Sequence, residues 1–467
     1  MDLHVTLQGR GDLAAQVYRQ LLDAILDGRL RSGERLPPTR DLARRLEISR
    51  NTVALAYDRL VADGFLEGRA GAGTFVSAEP VRGRAAPKGV VRPRAIWREL
   101  DAPARTPDAP YDFRVGAPDP RLFPMETWRR LVARELRVGA ATYGDSSGYE
   151  PLRDAISRHI GISRSVHAAP DDVLITNGAQ QALDLIGRVL IEPGACVAVE
   201  EPGYPPARLL FRSLGARVAG VPVDAEGVDV QAIPNAARIV YVTPSHQFPL
   251  GTPMSMARRA ALLAWAERRN AVVIEDDYDS EFRFGERPLE PLQSLDRAGR
   301  VIYVGSFSKT LLPMLRLGFL VAPASLAPAL RMARQLSDWH GELPAQAALA
   351  RFIDEGLLAR HIRKATREYA ARHAMIAETL HEDDRLRPVP STAGLHLCAR
   401  LAPGVSVRPA PGLALERLES YCGETPAQQG LVLGYGAIGK DRIPEGLRLL
   451  RRSLRMAAAP EAPVPFS

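Results

Sequence analysis

Cysteine and lysine are the residues this chain nearly lacks. The three cysteines (Cys196, Cys398, Cys422) in 467 residues lie far apart and are odd in number. That spacing excludes a disulfide framework and fits a reducing compartment. No apolar run approaches the roughly 18 residues that a membrane helix needs. Met1-Asp2-Leu3-His4 lacks the basic-then-apolar pattern of a secretory signal, so a cytoplasmic protein is expected. Lysine occurs only at Lys88, Lys309, Lys364 and Lys440, which leaves 57 of the 61 basic side chains as arginine. A lysine held between an apolar strand and a loop therefore stands out. Apolar residues at 46% and charged residues at 25% exclude a fibrous or wholly disordered chain. The length implies more than one domain. The net charge of +7 is a weak sign of a polyanionic partner.

Residues 12–76 read as a compact helical unit with a hairpin. Leu13, Val17, Leu21 and Ile25, with Leu22 and Leu26, form a helical stripe. Thr39–Leu46 gives a second helix. A third runs from about Arg50 to Asp63, with Val53, Tyr57, Leu60 and Val61 on one face and Gly64 at its C-terminal cap. Phe65–Glu67, Gly68–Gly73 and Thr74–Val76 read as a hairpin. Two helices, a tight turn and a hairpin make a winged helix-turn-helix, whose third helix would lead into a major groove with Ser49, Arg50, Asn51 and Thr52. Arg40, Arg44 and Arg45 would lie along the backbone, and Gly71 and Gly73 would let the wing tip approach phosphate. Residues 1–76 hold 11 arginines against 10 acidic residues, so DNA binding has to rest on a local patch. A protein-protein module is the alternative. Against it, LPPTRDLA from Leu36, SRNTV from Ser49 and GAGTFV from Gly71 together resemble the GntR DNA-binding domain.

Residues 77–110 carry six prolines and seven basic residues and read as a Pro/Arg-rich linker, with Ile96, Trp97 and Leu100 able to dock locally. From 111 to 467, strands and helices alternate. Strands are expected at Val173–Thr176, Val197–Glu200, Val218–Val221, Ile239–Thr243, Val272–Asp276, Val301–Gly305 and Leu317–Val321. Helices are expected at 179–190, 204–214 and 255–269, with one long helical stretch near 344–381. This predicts a mainly parallel α/β sheet covered on both faces. A smaller C-terminal α+β subdomain over about 382–467 would include strands Gly394–Cys398 and Leu431–Gly434.

In such sheets ligands sit at the carboxyl ends of strands. Asn177-Gly178-Ala179-Gln180 follows one strand and opens a helix. Asp276-Asp277-Tyr278-Asp279 follows another. Ser306-Phe307-Ser308-Lys309 follows a third, with Arg316 beyond it. An amine, a carboxylate, a phenol, two hydroxyls, a guanidinium and a helix N-terminus suit pyridoxal phosphate: lysine for the aldehyde, aspartate for the pyridine nitrogen, the rest for ring oxygen and phosphate. Tyr204 could stack on the ring or be a core aromatic. Arg316 could be a structural ion-pair partner. Glu275, Asp276, Asp277 and Asp279 could be a divalent-metal site or a solvated strand end. His246 reads as a packed or loop-stabilising histidine.

YGDSSGYEPLR from Tyr143, PSHQFPLG from Pro244, IEDDYDSEF from Ile274 and GSFSKT from Gly305 resemble the MocR/GabR family of regulators over nearly the whole chain. The resemblance implies a multidomain protein, a GntR-type winged helix fused to a fold type I aminotransferase-like domain that binds pyridoxal 5'-phosphate. It implies that Lys309 is the catalytic residue, carrying the cofactor, and that Asp276 pairs with the pyridine nitrogen and Tyr278 with the ring oxygen. Ser306, Ser308, Arg316 and the backbone at Ala179 and Gln180 would bind phosphate, and Tyr143 would reach the phosphate of a neighbouring subunit in a domain-swapped homodimer. The partners would be operator DNA and a small amino-containing effector, sensed through aldimine exchange at Lys309. An active aminotransferase and a sensor of pyridoxal phosphate itself are the alternatives. Two departures stand out. Phe248 replaces the asparagine of the usual Asn-Pro-x-Gly turn, and Gly430–Tyr435 lacks the usual carboxylate-gripping arginine.

Overall fold

The computed structural model describes residues 6–7, 12–77, 91–99, 109–136, 143–285, 289–423 and 427–456. Most of the 77–110 segment, Leu100 included, lies outside them. The chain divides into two compact units, Met1–Pro93 and Arg94–Ser467.

In the first unit, Asp12 caps helix Leu13–Leu26 by accepting from the Ala15 N–H at 3.1 Å. Helix Thr39–Arg45 follows, then helix Arg50–Ala62, which Ser49 caps through the Thr52 N–H. That helix ends as a Schellman motif. Gly64 takes φ +78, and the N–H groups of Gly64 and Phe65 donate to the carbonyls of Val61 and Leu60. Val17, Leu21, Leu42, Val53, Tyr57, Leu60, Leu66 and Val76 form the core. Val61 departs from the expected face and is 42% exposed, because one residue past Leu60 turns about 100° round the helix. Strands Leu66–Arg69 and Gly73–Val76 pair antiparallel as the wing.

The second unit is built on an eight-stranded sheet. Its order is Val173–Thr176, Gly318–Val321, Val301–Ser306, Val272–Asp277, Ala237–Val242, Cys196–Glu201, Arg217–Asp224 and Gly227–Val228. The interior pairs are parallel. Gly318–Val321 runs antiparallel to both neighbours. The short connection 307–317 is why: a parallel return needs a crossover of a dozen or more residues. Register then sets Ser306 opposite Gly318 and Gly318 opposite Thr176, so three loops leave the sheet side by side.

The long helical stretch near 344–381 is two helices, Leu343–Asp354 and Leu357–His381. The break falls at Gly356, whose φ of +69 suits glycine and ends the first helix. A four-stranded antiparallel sheet, Leu386–Pro388, His396–Leu401, Gly430–Gly434 and Glu416–Arg417, forms the smaller subdomain. Its core draws Phe113 and Tyr369 from outside 382–456, and Tyr111–Asp112 pairs with Leu413–Ala414. Among the described residues, no helix is long and apolar enough to cross a membrane.

Candidate functional site

A cleft of about 650 Å³ opens at the carboxyl ends of the central strands. Lys309, Asp276, Tyr278, Tyr204, Ser306, Ser308, Arg316, Ala179 and Gln180 all line it. A larger groove of about 810 Å³ lies beside Arg387 and Arg400, but the buried titratable groups converge on the smaller cleft.

Lys309 leaves the end of strand Val301–Ser306 on the tight return loop, and its Nζ donates to the Gly116 carbonyl at 2.6 Å. Burial pulls its ammonium below the usual lysine range, against the opposing pull of Asp279 and Asp276. Asp276 sits on the neighbouring strand. Its Oδ2 accepts from the Tyr241 hydroxyl at 2.7 Å, and its Oδ1 is buried with no partner. Burial pushes this carboxyl up to about 7, while the Tyr241 hydrogen bond holds it back.

The carboxylates of the 275–279 run do not converge on an ion. Alternate strand residues point to opposite faces. Glu275 accepts from the Leu292 and Gln293 N–H groups. Asp277 takes Arg164 at 2.8 Å and the Tyr303 hydroxyl at 2.6 Å. Asp279 pairs with His246 at 3.0 Å. His246, Asp279 and His396 do bring one ligand atom each within 4.8 Å of one another. Each histidine is hydrogen-bonded inside the protein through Nε2, His246 to Ser391 and His396 to the Pro249 carbonyl. His246 thus stabilises the loop, and the Tyr278 hydroxyl also reaches its Nδ1 at 3.0 Å.

Another part of the cleft lining is built for an anion. Gly178, at φ +83, precedes helix Ala179–Leu190, whose first N–H groups are free of intrahelical partners. Arg316 takes a left-handed turn at φ +52, and its Nη2 donates to the Asn177 carbonyl at 2.6 Å. A Cβ on residue 178 would sit 2.7 Å from that nitrogen, so only glycine leaves the guanidinium its place. The Ser306 hydroxyl accepts from the Ser308 N–H at 3.1 Å.

Tyr204 packs edge-on against Phe248 at 5.7 Å, and burial pushes its phenol up to about 12. Phe248 also meets Tyr278, His396 and Tyr421 edge-on, so the residue in the asparagine's place is part of the aromatic wall. Tyr143 is 75% exposed, packs on Trp339 at 4.5 Å and does not line the cleft of its own chain. Sequence reasoning missed Tyr241, His396 and Glu416. Tyr241 was hidden in an apolar strand, and nothing around Glu416 marked it.

In the first unit Arg50 and Asn51 are exposed at the start of the third helix, while Ser49 and Thr52 are hydrogen-bonded to each other at 2.8 Å. Arg40 is exposed, 3.8 Å from Asp41. Gly71 and Gly73 both have positive φ at the wing tip, with Arg35 packed against Gly73.

Residues 13–76 match the gntR family of bacterial regulatory proteins. The whole chain is similar to the probable rhizopine catabolism regulatory protein MocR of Rhizobium meliloti, 38% identical over 93% of this chain and 92% of that protein. It is 35% identical to the transcriptional regulator TauR of Rhodobacter capsulatus over 96% of this chain and 97% of that one. The fold of the second unit is similar to that of LysN, an α-aminoadipate aminotransferase from Thermus thermophilus solved with N-(5'-phosphopyridoxyl)-L-leucine. The TM-score is 0.67 at 32% identity, over 73% of this chain and 91% of LysN.

Proposed function

The chain belongs to the MocR-type transcriptional regulators, a GntR-type DNA-binding unit joined to an aminotransferase-like domain, and from that premise we propose that it senses an amino-containing effector in a cleft that holds pyridoxal phosphate. The observation that carries this reading is one cleft lined by Lys309, by Asp276 with its Oδ1 buried and without a partner, and by an anion cradle of Ser306, Ser308, Arg316 and the start of helix Ala179–Leu190. The phosphopyridoxyl group bound by LysN supports it.

Lys309 would carry the cofactor, Asp276 would face its pyridine nitrogen, and Tyr278 and Tyr204 would flank the ring. Ser306, Ser308, Arg316 and the N–H groups of Ala179 and Gln180 would hold the phosphate. When bound, pyridoxal phosphate supplies an aldehyde that condenses with primary amines. Burial favours the neutral, nucleophilic form of Lys309, and the Gly116 carbonyl orients it. Tyr241 fixes Asp276 from one side and leaves the other oxygen to take a protonated base. The aromatic rings around Phe248 supply an apolar wall beside them.

The third helix of the first unit reads operator DNA through Arg50, Asn51 and Thr52, with Ser49 as its cap, Arg40 on the backbone, and Gly71 and Gly73 at the wing. The working protein is a cytoplasmic, domain-swapped homodimer, in which the exposed Tyr143 reaches the partner's phosphate site. The test is the visible spectrum of the full chain with pyridoxal phosphate, followed by borohydride reduction. Wild type is expected to give a band and a covalent adduct. An adduct of equal yield in Lys309→Ala overturns the assignment.

A further inference from the structure

We infer that the cleft selects amines carrying a second cationic group, in preference to amino acids, and that Glu416 is the residue that reads that charge. The inference rests on the cofactor reading above, because Lys309 marks where the first amine must lie. Two consecutive residues tie the two ends together. Gly116 accepts from Lys309 Nζ at 2.6 Å, and the Val115 N–H donates to Glu416 Oε1 at 3.3 Å. With about 3.5 Å of chain per residue, the Glu416 carboxyl lies at most about 13 Å from Nζ. An extended 1,4-diaminobutane reaches about 9 Å from one nitrogen through the other to a hydrogen-bonded oxygen, which lies inside that upper bound.

The charges on the cleft wall are lopsided. Among the described residues, its cations are Lys309 and Arg316, and Arg316 is pinned to the Asn177 carbonyl beside the phosphate cradle. Of the acids, Asp276 is held by Tyr241 and Asp279 by His246. Glu416 has a backbone N–H. Arg114, next to it in the chain fold, pairs with Asp112 through Nε at 2.8 Å. Burial holds His396 neutral. Arg114 does not line the cleft, so a ligand carboxylate reaching this wall would meet the Glu416 carboxylate, whereas a ligand ammonium would gain a charge-assisted hydrogen bond. Burial pushes the Glu416 carboxyl upward, while the Val115 N–H and the charge of Arg114 pull it down, and a ligand cation would pull it further in that direction.

The test is titration of the visible band of the full chain, loaded with pyridoxal phosphate, by three amines of one length: 1,4-diaminobutane, 1-aminobutane and 4-aminobutanoate. Half-saturation is expected at the lowest concentration for the diamine and the highest for the aminobutanoate, about tenfold or more apart. Glu416→Gln keeps an acceptor for the Val115 N–H and is expected to remove the diamine's advantage over 1-aminobutane. If 4-aminobutanoate binds as well as the diamine, if no amine shifts the band, or if the advantage survives in Glu416→Gln, the inference is overturned while the cofactor reading stands. Absence of any band with pyridoxal phosphate overturns both.

Discussion

Replacing Asp276 by asparagine tests the electrostatics of the cleft floor with no ligand present. The residue is 4% exposed, with one oxygen on Tyr241 and the other without a partner. Burial raises its carboxyl from the ordinary 3.8 to about 7. Between those values the unfolded chain releases a proton that the folded chain keeps. The folded state then binds more protons, and the free energy of unfolding falls as pH rises. This contribution is fully present below pH 4 and is lost as pH passes through about 7. A shift of about three units at 1.36 kcal/mol each amounts to roughly 4 kcal/mol. The amide in the variant does not titrate, so any constant cost it carries cancels between pH values. Relative to wild type, Asp276→Asn should therefore gain about 4 kcal/mol between pH 4 and pH 8. Urea unfolding of the cofactor-free protein, followed by fluorescence of the buried Trp128 and Trp265, measures it. A difference between variant and wild type that is the same at both pH values refutes the reasoning. With pyridoxal phosphate added, the same variant should bind the cofactor more weakly than wild type.

Gly178→Ala puts a methyl 2.7 Å from Arg316 Nη2 at a φ of +83, and should displace the guanidinium and weaken cofactor binding about tenfold; an unchanged Kd in a fluorescence titration counts against the anion cradle. Ser49→Ala removes the cap on helix Arg50–Ala62 and should cost that helix about 1 kcal/mol, seen as faster amide exchange in its first turn. Arg50→Ala should lower operator affinity by about 1–3 kcal/mol and leave the cofactor spectrum alone; wild-type affinity in gel shifts across several salt concentrations removes Arg50 from the recognition surface.

The groups at strand ends were legible in the sequence because each depends on local pattern. Lys309 follows an apolar run in a chain almost without lysine, and Asp276 ends another such run. Gly178 opens a helix. Sheet register then carries these loops to one edge with no further information. The rest of the site depends on segments remote in the chain. Glu416 lines the cleft from a strand paired with Gly430–Gly434, and its hydrogen-bond partner Val115 lies 301 residues earlier. Tyr241 is an aromatic among apolar neighbours on its strand, and only the pairing with Asp276 distinguishes it. The two-helix break at Gly356 was hidden for a different reason, since helical periodicity on either side continues through one glycine.

These two kinds of residue divide the cleft between them. The anion cradle and Lys309 stand on loops that leave the eight-stranded sheet, where a shift of register would dismantle the core. Glu416 and His396 come from the small antiparallel sheet, and Val115 from the segment packed beside it. On the proposed reading, a substitution on the small sheet changes which amine is preferred while leaving the residues assigned to the cofactor in place. The departures from the usual aminotransferase pattern follow that division. Phe248 packs on Tyr421 of the smaller subdomain, and strand Gly430–Gly434, which lacks the arginine, is the neighbour of the Glu416 strand. The proposed assignment, with the cofactor held from the large sheet and the effector read from the small one, is an arrangement in which a regulator keeps an enzyme's cofactor site and still answers to a different class of amine.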